Sequence, residues 1–208
     1  MEPPIVISTP ALDLAFTNLA YCSPADHHGF GVPGSQLFLA NVGDVFVLSV
    51  SYPFSLFTPH ESIRNGYIAL NAIQRQHAKV STGDTISVSR FIPPDNFNLA
   101  SLTLELEFIK KRTKNEQVDA VLLDTQLKQR FISQVMTAGQ RVPFKYHGNN
   151  YILTVNQAVL EGQEGSNAPE RGLISNETCI IFEASNSSGI KVIHHHMFSL
   201  LYFHLLFR

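Results

Sequence analysis

Up to residue 92 the apolar positions fall in short β-favouring runs separated by turn residues. Phe38–Ala40 and Val45–Val50 are continuous apolar stretches, and Ile86–Ile92 alternates apolar and polar residues with period two. Each pattern predicts a strand, because β-branched and aromatic side chains suit a pleated surface and period two sends alternate residues to opposite faces. Pro33–Gly34, Asn65–Gly66 and Gly83–Asp84 punctuate these runs, and glycine reaches the positive φ of tight turns at no steric cost. Residues 1–92 are therefore expected to form a small all-β unit.

Pro93–Asn96 marks the expected boundary, since tandem prolines cannot continue a ladder. In the second unit, residues 97–192, Leu102–Ile109 alternates cleanly and predicts a strand with Thr103, Glu105 and Glu107 on a wet face. Thr113 and Glu116 have capping-box spacing, and Ala120, Leu123, Leu127, Phe131 and Val135 then recur at helical intervals, predicting an amphipathic helix that ends before Gly139. Val142–Tyr146, Tyr151–Val155 and Cys179–Glu183 read as further strands, with a hairpin turn over His147–Asn150. The second unit is thus α+β. Residues 193–208 are an apolar, His-rich tail, whose Met197–Phe207 stretch is 11 residues long. A membrane-spanning helix needs about 17–25.

Composition narrows the function classes. With 15 Lys+Arg against 17 Asp+Glu, no global field draws the chain to nucleic acid or an anionic bilayer, so an electrostatic partner must meet a local patch. The sharpest patch is Lys110, Lys111, Arg112 and Lys114, which reads either as a solvated loop or as a docking surface for an acidic protein. Arg75, near His77 and Lys79, forms a weaker basic group. No aromatic pattern or Gly-rich clamp accompanies either group, which ranks nucleic acid lower. Cys22 and Cys179 lack metal or redox spacing and read as buried or half-buried free thiols. His27–His28 reads as a polar loop, and His194–His196 with His204 lack the neighbouring carboxylates or thiols that would complete a metal shell. The amino terminus has neither the basic nor the apolar region of a secretory signal. No phosphate-binding loop, dinucleotide fingerprint or nucleophile elbow occurs, so neither a catalytic residue nor a cofactor is expected in this chain.

Several blocks resemble one family. Asp13–Pro24, Val32–Gly43, Ile68–Asn98, Leu102–Lys111, Tyr146–Asn156 and Ile180–Lys191 are collinear with the amino-terminal domain of the N-ethylmaleimide-sensitive factors, the vesicle-fusing ATPases, in a plant-like form. The resemblance runs over roughly residues 9–191 and stops before any ATPase module. It implies a double-psi β-barrel to about residue 92, then a small α/β roll. It also implies a non-catalytic domain that binds the soluble attachment proteins (SNAP adaptors) on SNARE complexes, in the cytoplasm at membranes of the secretory pathway. The family's adaptor-facing basic positions fall at Arg75, Lys110 and Lys111, with Arg112 and Lys114 beside them, whereas a further basic position of the family is occupied here by the neutral Ser8 or Thr9, so that contact is expected to be lost. ATP, Mg and hexamer formation belong, by the same resemblance, to modules outside this chain. The alternative is a fragment of the full-length ATPase, sharing in the ATP hydrolysis of the whole. Val50–Pro59 has the look of an insertion, and the tail does not follow the family pattern.

Overall fold

The computed structural model describes residues 2–30, 38–43, 46–51, 63–110, 115–162, 171–185 and 189–193. Strands β1 (Ile5–Ser8), β2 (Ala20–Cys22), β3 (Phe38–Val42), β4 (Phe46–Ser51), β5 (Tyr67–Leu70) and β6 (Val88–Arg90) make one sheet in the order β1-β5-β2-β4-β3-β6. A 3-10 turn at Leu14–Phe16 and helices α1 (Pro24–Phe30) and α2 (Ala72–Ala78) connect them. Pairs β1–β5 and β2–β4 are parallel and the rest antiparallel. The segment leading into β6 lies back along β1: Val6 N donates to Asp84 O at 2.8 Å, Gly83 N donates to Val6 O at 2.8 Å, and Ile5 bridges Thr85. Backbone groups at the two edges of the sheet thus satisfy one another, and the sheet curls toward a barrel. Gly83 holds φ +95° in that closing turn, a conformation open to glycine. Val6, Ala20, Ala40, Leu48, Val50, Ile68 and Leu70 form the buried cluster of this unit.

The second unit comprises β7 (Leu99–Phe108), β8 (Glu116–Asp119), α3 (Ala120–Phe131), β9 (Val135–Thr137), β10 (Arg141–Tyr146), β11 (Asn149–Leu160), β12 (Arg171–Leu173), β13 (Cys179–Ala184) and β14 (Ile190–Ile193). A four-stranded sheet runs β10-β11-β7-β13, and β12–β9 and β14–β8 are separate pairs. Helix α3 places Ala120, Leu123, Leu127 and Phe131 in one core with Leu102, Leu104, Leu106, Phe144 and Val155. The β10–β11 hairpin turns through His147 and Gly148, both at positive φ (46° and 78°), the primed geometry whose twist matches the flanking strands. The architecture is the mixed, strand-rich fold expected: a curled barrel-type sheet followed by a small α+β roll.

Four local expectations change. The capping box at Thr113 does not start the helix: Glu116–Asp119 pairs in parallel with β14, and Asp119 Oδ1 caps α3 by accepting from Val121 N (2.8 Å) and Leu122 N (3.2 Å). The helix ends at Phe131, and Val135 belongs to β9, because a strand pairing with β12 takes over where the helical ladder stops. Thr103 is buried, flanked by Gln157 and Ile181 of the neighbouring strands. His27 is buried on α1 instead of lying in a polar loop. The expected turn at Pro33–Gly34, the stretch 52–59 of the insertion and the tail from 194 on, with its histidines, lie outside the described residues.

The thiols also divide: Cys22 is buried and Cys179 exposed on the edge strand β13. Burial, reinforced by the Asp26 carboxylate, pushes Cys22 up to about 12. At about pH 8 such a thiol is thiolate in only about one molecule in ten thousand. A disulfide-exchange reagent is therefore expected to titrate Cys179 promptly in the native chain and Cys22 only in denaturant. Equally rapid modification of both thiols in the native chain would refute the buried placement of β2.

Candidate docking site

The β10–β11 hairpin organises the basic groups. Along β10, Val142, Phe144 and Tyr146 point into the core, so the period of two turns Lys145 outward. Lys145 pairs across the ladder with Asn150, and both are exposed. Helix α2 and the Leu14–Phe16 turn pack against β10 from the first unit.

The basic segment that begins at Lys110 is tied to this hairpin at both ends. Before it, Ile109 N donates to Asn150 O at 3.1 Å, and the Phe108 and Tyr151 rings stack at 5.2 Å. After it, Glu116 Oε1 accepts from Asn149 Nδ2 at 2.7 Å and from the Tyr151 hydroxyl at 2.5 Å, while Glu116 N donates to Gly189 O. Burial raises the nearby Tyr146 hydroxyl above its ordinary value, with the Asp119 and Glu116 charges adding to the effect. Lys110 itself is exposed, and Lys111, Arg112 and Lys114 lie outside the described residues.

Two adjoining hollows flank the hairpin and share Asn150. A small one, about 150 Å³, is lined by Ile109, Lys110, Gly148 and Asn150. A larger cleft of about 510 Å³ is lined by Leu12, Asp13, Phe16 and Thr17 from the first unit and by Arg130, Lys145 and Asn150 from the second. The Arg130 guanidinium lies over the Phe144 ring, 5.3 Å from its centre. Neither Arg130 nor Lys145 forms an ion pair among the described residues, where the salt bridge is Lys128–Asp124.

Arg75 sits on α2, a helix held by a reciprocal cap in which Asn71 and Gln74 each accept from the other's backbone N at 2.9 Å. Its guanidinium donates to Leu70 O at 2.6 Å, which turns the head group toward the β5–α2 junction. Burial lowers neighbouring His77, so it adds no charge to Arg75 at neutral pH. The structure thus gathers Lys110, Lys145 and Arg130 around one hairpin and leaves Arg75 on a helix packed against the same strand. Sequence reading passed over Arg130 and Lys145. The alternation of Val142, Phe144 and Tyr146 does place Lys145 on the outer face, but nothing local signals that Arg130 would join it.

Among the described residues no group of three or more His, Cys, Asp or Glu side chains could hold a metal ion, and no helix is long and apolar enough to cross a membrane.

Comparison with known proteins then bears on what such a surface meets. Over 188 residues, 90% of its length, the chain is 64% identical to the Vesicle-fusing ATPase of Arabidopsis thaliana. This chain is similar to part of a vesicle-fusing ATPase. It spans 24% of that relative's length. Residues 117–186, which contain α3, the β10–β11 hairpin and β13, also match the family described as Cell division protein 48 (CDC48), domain 2. The hairpin carrying the basic groups lies within the part that matches a known domain.

Proposed function

We propose that this chain is a non-catalytic recognition domain that binds the acidic surface of a SNAP adaptor, and through it SNARE complexes, at cytoplasmic faces of secretory-pathway membranes. The observation that carries the reading is the tethering of the Lys110 segment at both ends to the hairpin that also displays Lys145, beside exposed Arg130. The anchored flanks, Ile109 on one side and Glu116 on the other, hold Lys110 beside the hairpin, and exposed cations steer an acidic partner while losing little on binding. Arg75, Lys110 and Lys111 are the proposed principal contacts, with Arg112 and Lys114 at the rim.

The 24% coverage of the relative favours a second reading, in which the chain is one segment of a longer ATPase. ATP, Mg and hexamer formation would then reside in other segments, since this sequence holds no phosphate loop. The docking task of the segment is the same in both readings.

The deciding measurement is the affinity of the full chain for purified SNAP adaptor in rising salt. Lys110→Glu with Lys111→Glu is expected to weaken binding by about tenfold or more at low ionic strength, with the gap narrowing as salt screens the wild-type contacts. Binding that is indifferent both to salt and to the double variant would sink the proposal.

A further inference from the structure

The described part of the second unit ends at Ile193, the last residue of β14. Strand β14 pairs in parallel with β8, in the register Val192↔Val118 and Ile193↔Asp119. Parallel strands run the same way, so the backbone leaving Ile193 sets out about 4.8 Å from Asp119, where α3 begins. The first turn of that helix carries uncovered apolar surface. Val121 and Leu122 are 52% and 51% exposed, and among the described residues they are the one adjacent pair of exposed large apolar side chains. Asp119 Oδ1 accepts from the backbone N of both, which fixes the turn that presents them.

The same chain supplies an occupant. Beyond His194, His195 and His196 come residues 197–207, which are all apolar or aromatic except Ser199 and His204 and include no Asp, Glu, Lys or Arg. Met197 stands four residues past Ile193, a reach of about 13 Å when extended. Leu122 lies three residues past Asp119, only about 4.5 Å of helix rise. The tether therefore spans the gap, and one so short holds its end near the helix at an effective concentration on the order of millimolar.

We propose that residues 197–207 dock on Val121 and Leu122 of their own chain, covering the first turn of α3 beside the end of the β8–β14 pair. Docking removes two apolar surfaces from water together, and the uncharged stretch brings no desolvation cost of an ionised group. The short tether favours the chain's own tail over that of a second copy at ordinary protein concentrations. The docked stretch braces the end of β8, the strand whose Glu116 anchors the Lys110 segment to the β10–β11 hairpin. It does so whatever partner the basic surface meets.

Disulfide trapping in the full chain tests this. Cys179→Ser removes the exposed native thiol. Thr125→Cys places a thiol one turn along α3, where the native hydroxyl donates to Val121 O at 2.9 Å, and Ser199→Cys places another in the tail without altering its apolar side chains. With oxidised glutathione as oxidant, the expected product is a bridge within one chain, formed at a rate independent of protein concentration. Val121→Ser with Leu122→Ser is expected to slow its formation about tenfold, through the loss of two half-exposed apolar contacts. Leu201→Ser with Phe203→Ser is expected to slow it similarly from the side of the tail. Ser81→Cys, in an exposed turn of the first unit, replaces Thr125→Cys as the control.

Equal rates with the Ser81 thiol, or a bridge that ignores both pairs of serine substitutions, would overturn the proposal. Bridges between two chains that grow with protein concentration would assign the stretch to a second copy instead. Retention of the chain on phosphatidylcholine vesicles, with no bridge formed, would assign it to a bilayer and overturn the proposal likewise. Val121 and Leu122 are exposed, so an unchanged circular dichroism spectrum is expected, and Val121→Ala with Leu122→Ala provides a milder pair that keeps the helix.

Discussion

Phe131→Ala is expected to destabilise the chain by about 3–5 kcal/mol, the cost of deleting a buried aromatic side chain and leaving a void. Phe131 is the last residue of α3, with no exposed surface, and its ring lies 5.8 Å from that of Phe144 on β10. It joins the helix to the strand that organises the basic groups, so its loss would open the core behind Lys145. Against a total stability of about 5–15 kcal/mol this is a large fraction. Urea unfolding followed by circular dichroism measures it as a fall in midpoint. Gln126→Ala, on the exposed face of the same helix, is expected to stay within about 0.5 kcal/mol of wild type. A Phe131→Ala loss below about 1 kcal/mol would mean that α3 does not seat as described.

The second large effect concerns the polar junction between the units. Asn18, Gln134 and Gln140 are all buried. Asn18 Nδ2 donates to Gln134 Oε1 at 3.2 Å, Gln140 Nε2 donates to Asn18 Oδ1 at 3.3 Å, and Gln134 Nε2 donates to Thr17 O at 3.3 Å. Gln140 Oε1 also accepts from Thr137 N at 3.0 Å. Asn18→Ala removes the shared partner of both glutamines, and each buried polar atom so stranded costs about 1–3 kcal/mol. Asn18 also holds φ +58°, which alanine tolerates less well than asparagine. Asn18→Gly, which relieves the backbone but still strands the amides, separates the two contributions. Because these bonds join residues more than a hundred positions apart, the variant is expected to loosen the contact between the units as well as lower stability. Amide exchange read at Val47, Phe97 and Val135, the apolar cluster at the same junction, reports that loosening. Unchanged protection there, with wild-type stability, would show that the network contributes nothing to the junction.

Much of the strand pattern was legible because it is set by local physics. The alternation in Leu102–Phe108, the apolar runs that became β3 and β4, and the His147–Gly148 turn each follow from side-chain period or from backbone conformations that few residues accept. The apolar face of α3 was read correctly as Ala120, Leu123, Leu127 and Phe131, yet its start was not. Residues Glu116–Asp119 carry a plausible helix signature, and it is the parallel pairing of β8 with β14, more than seventy residues further on, that holds them extended. No local rule sees such a partner. Burial of Thr103 escaped for the same reason, since Gln157 and Ile181 beside it come from strands that sequence alone does not place there.

By itself, then, the sequence determined the strand-rich first unit, the α+β second unit, the apolar stripe of α3 and the run of cations at Lys110, because each depends on neighbours within a few residues. Only the tertiary structure decided that the Lys110 segment is tied to the β10–β11 hairpin, that Arg130 and Lys145 share a cleft with Leu12 and Phe16, and that Asn18 meets Gln134 and Gln140. Those arrangements rest on contacts between distant parts of the chain, whose free energy is realised only when both units are folded and packed together.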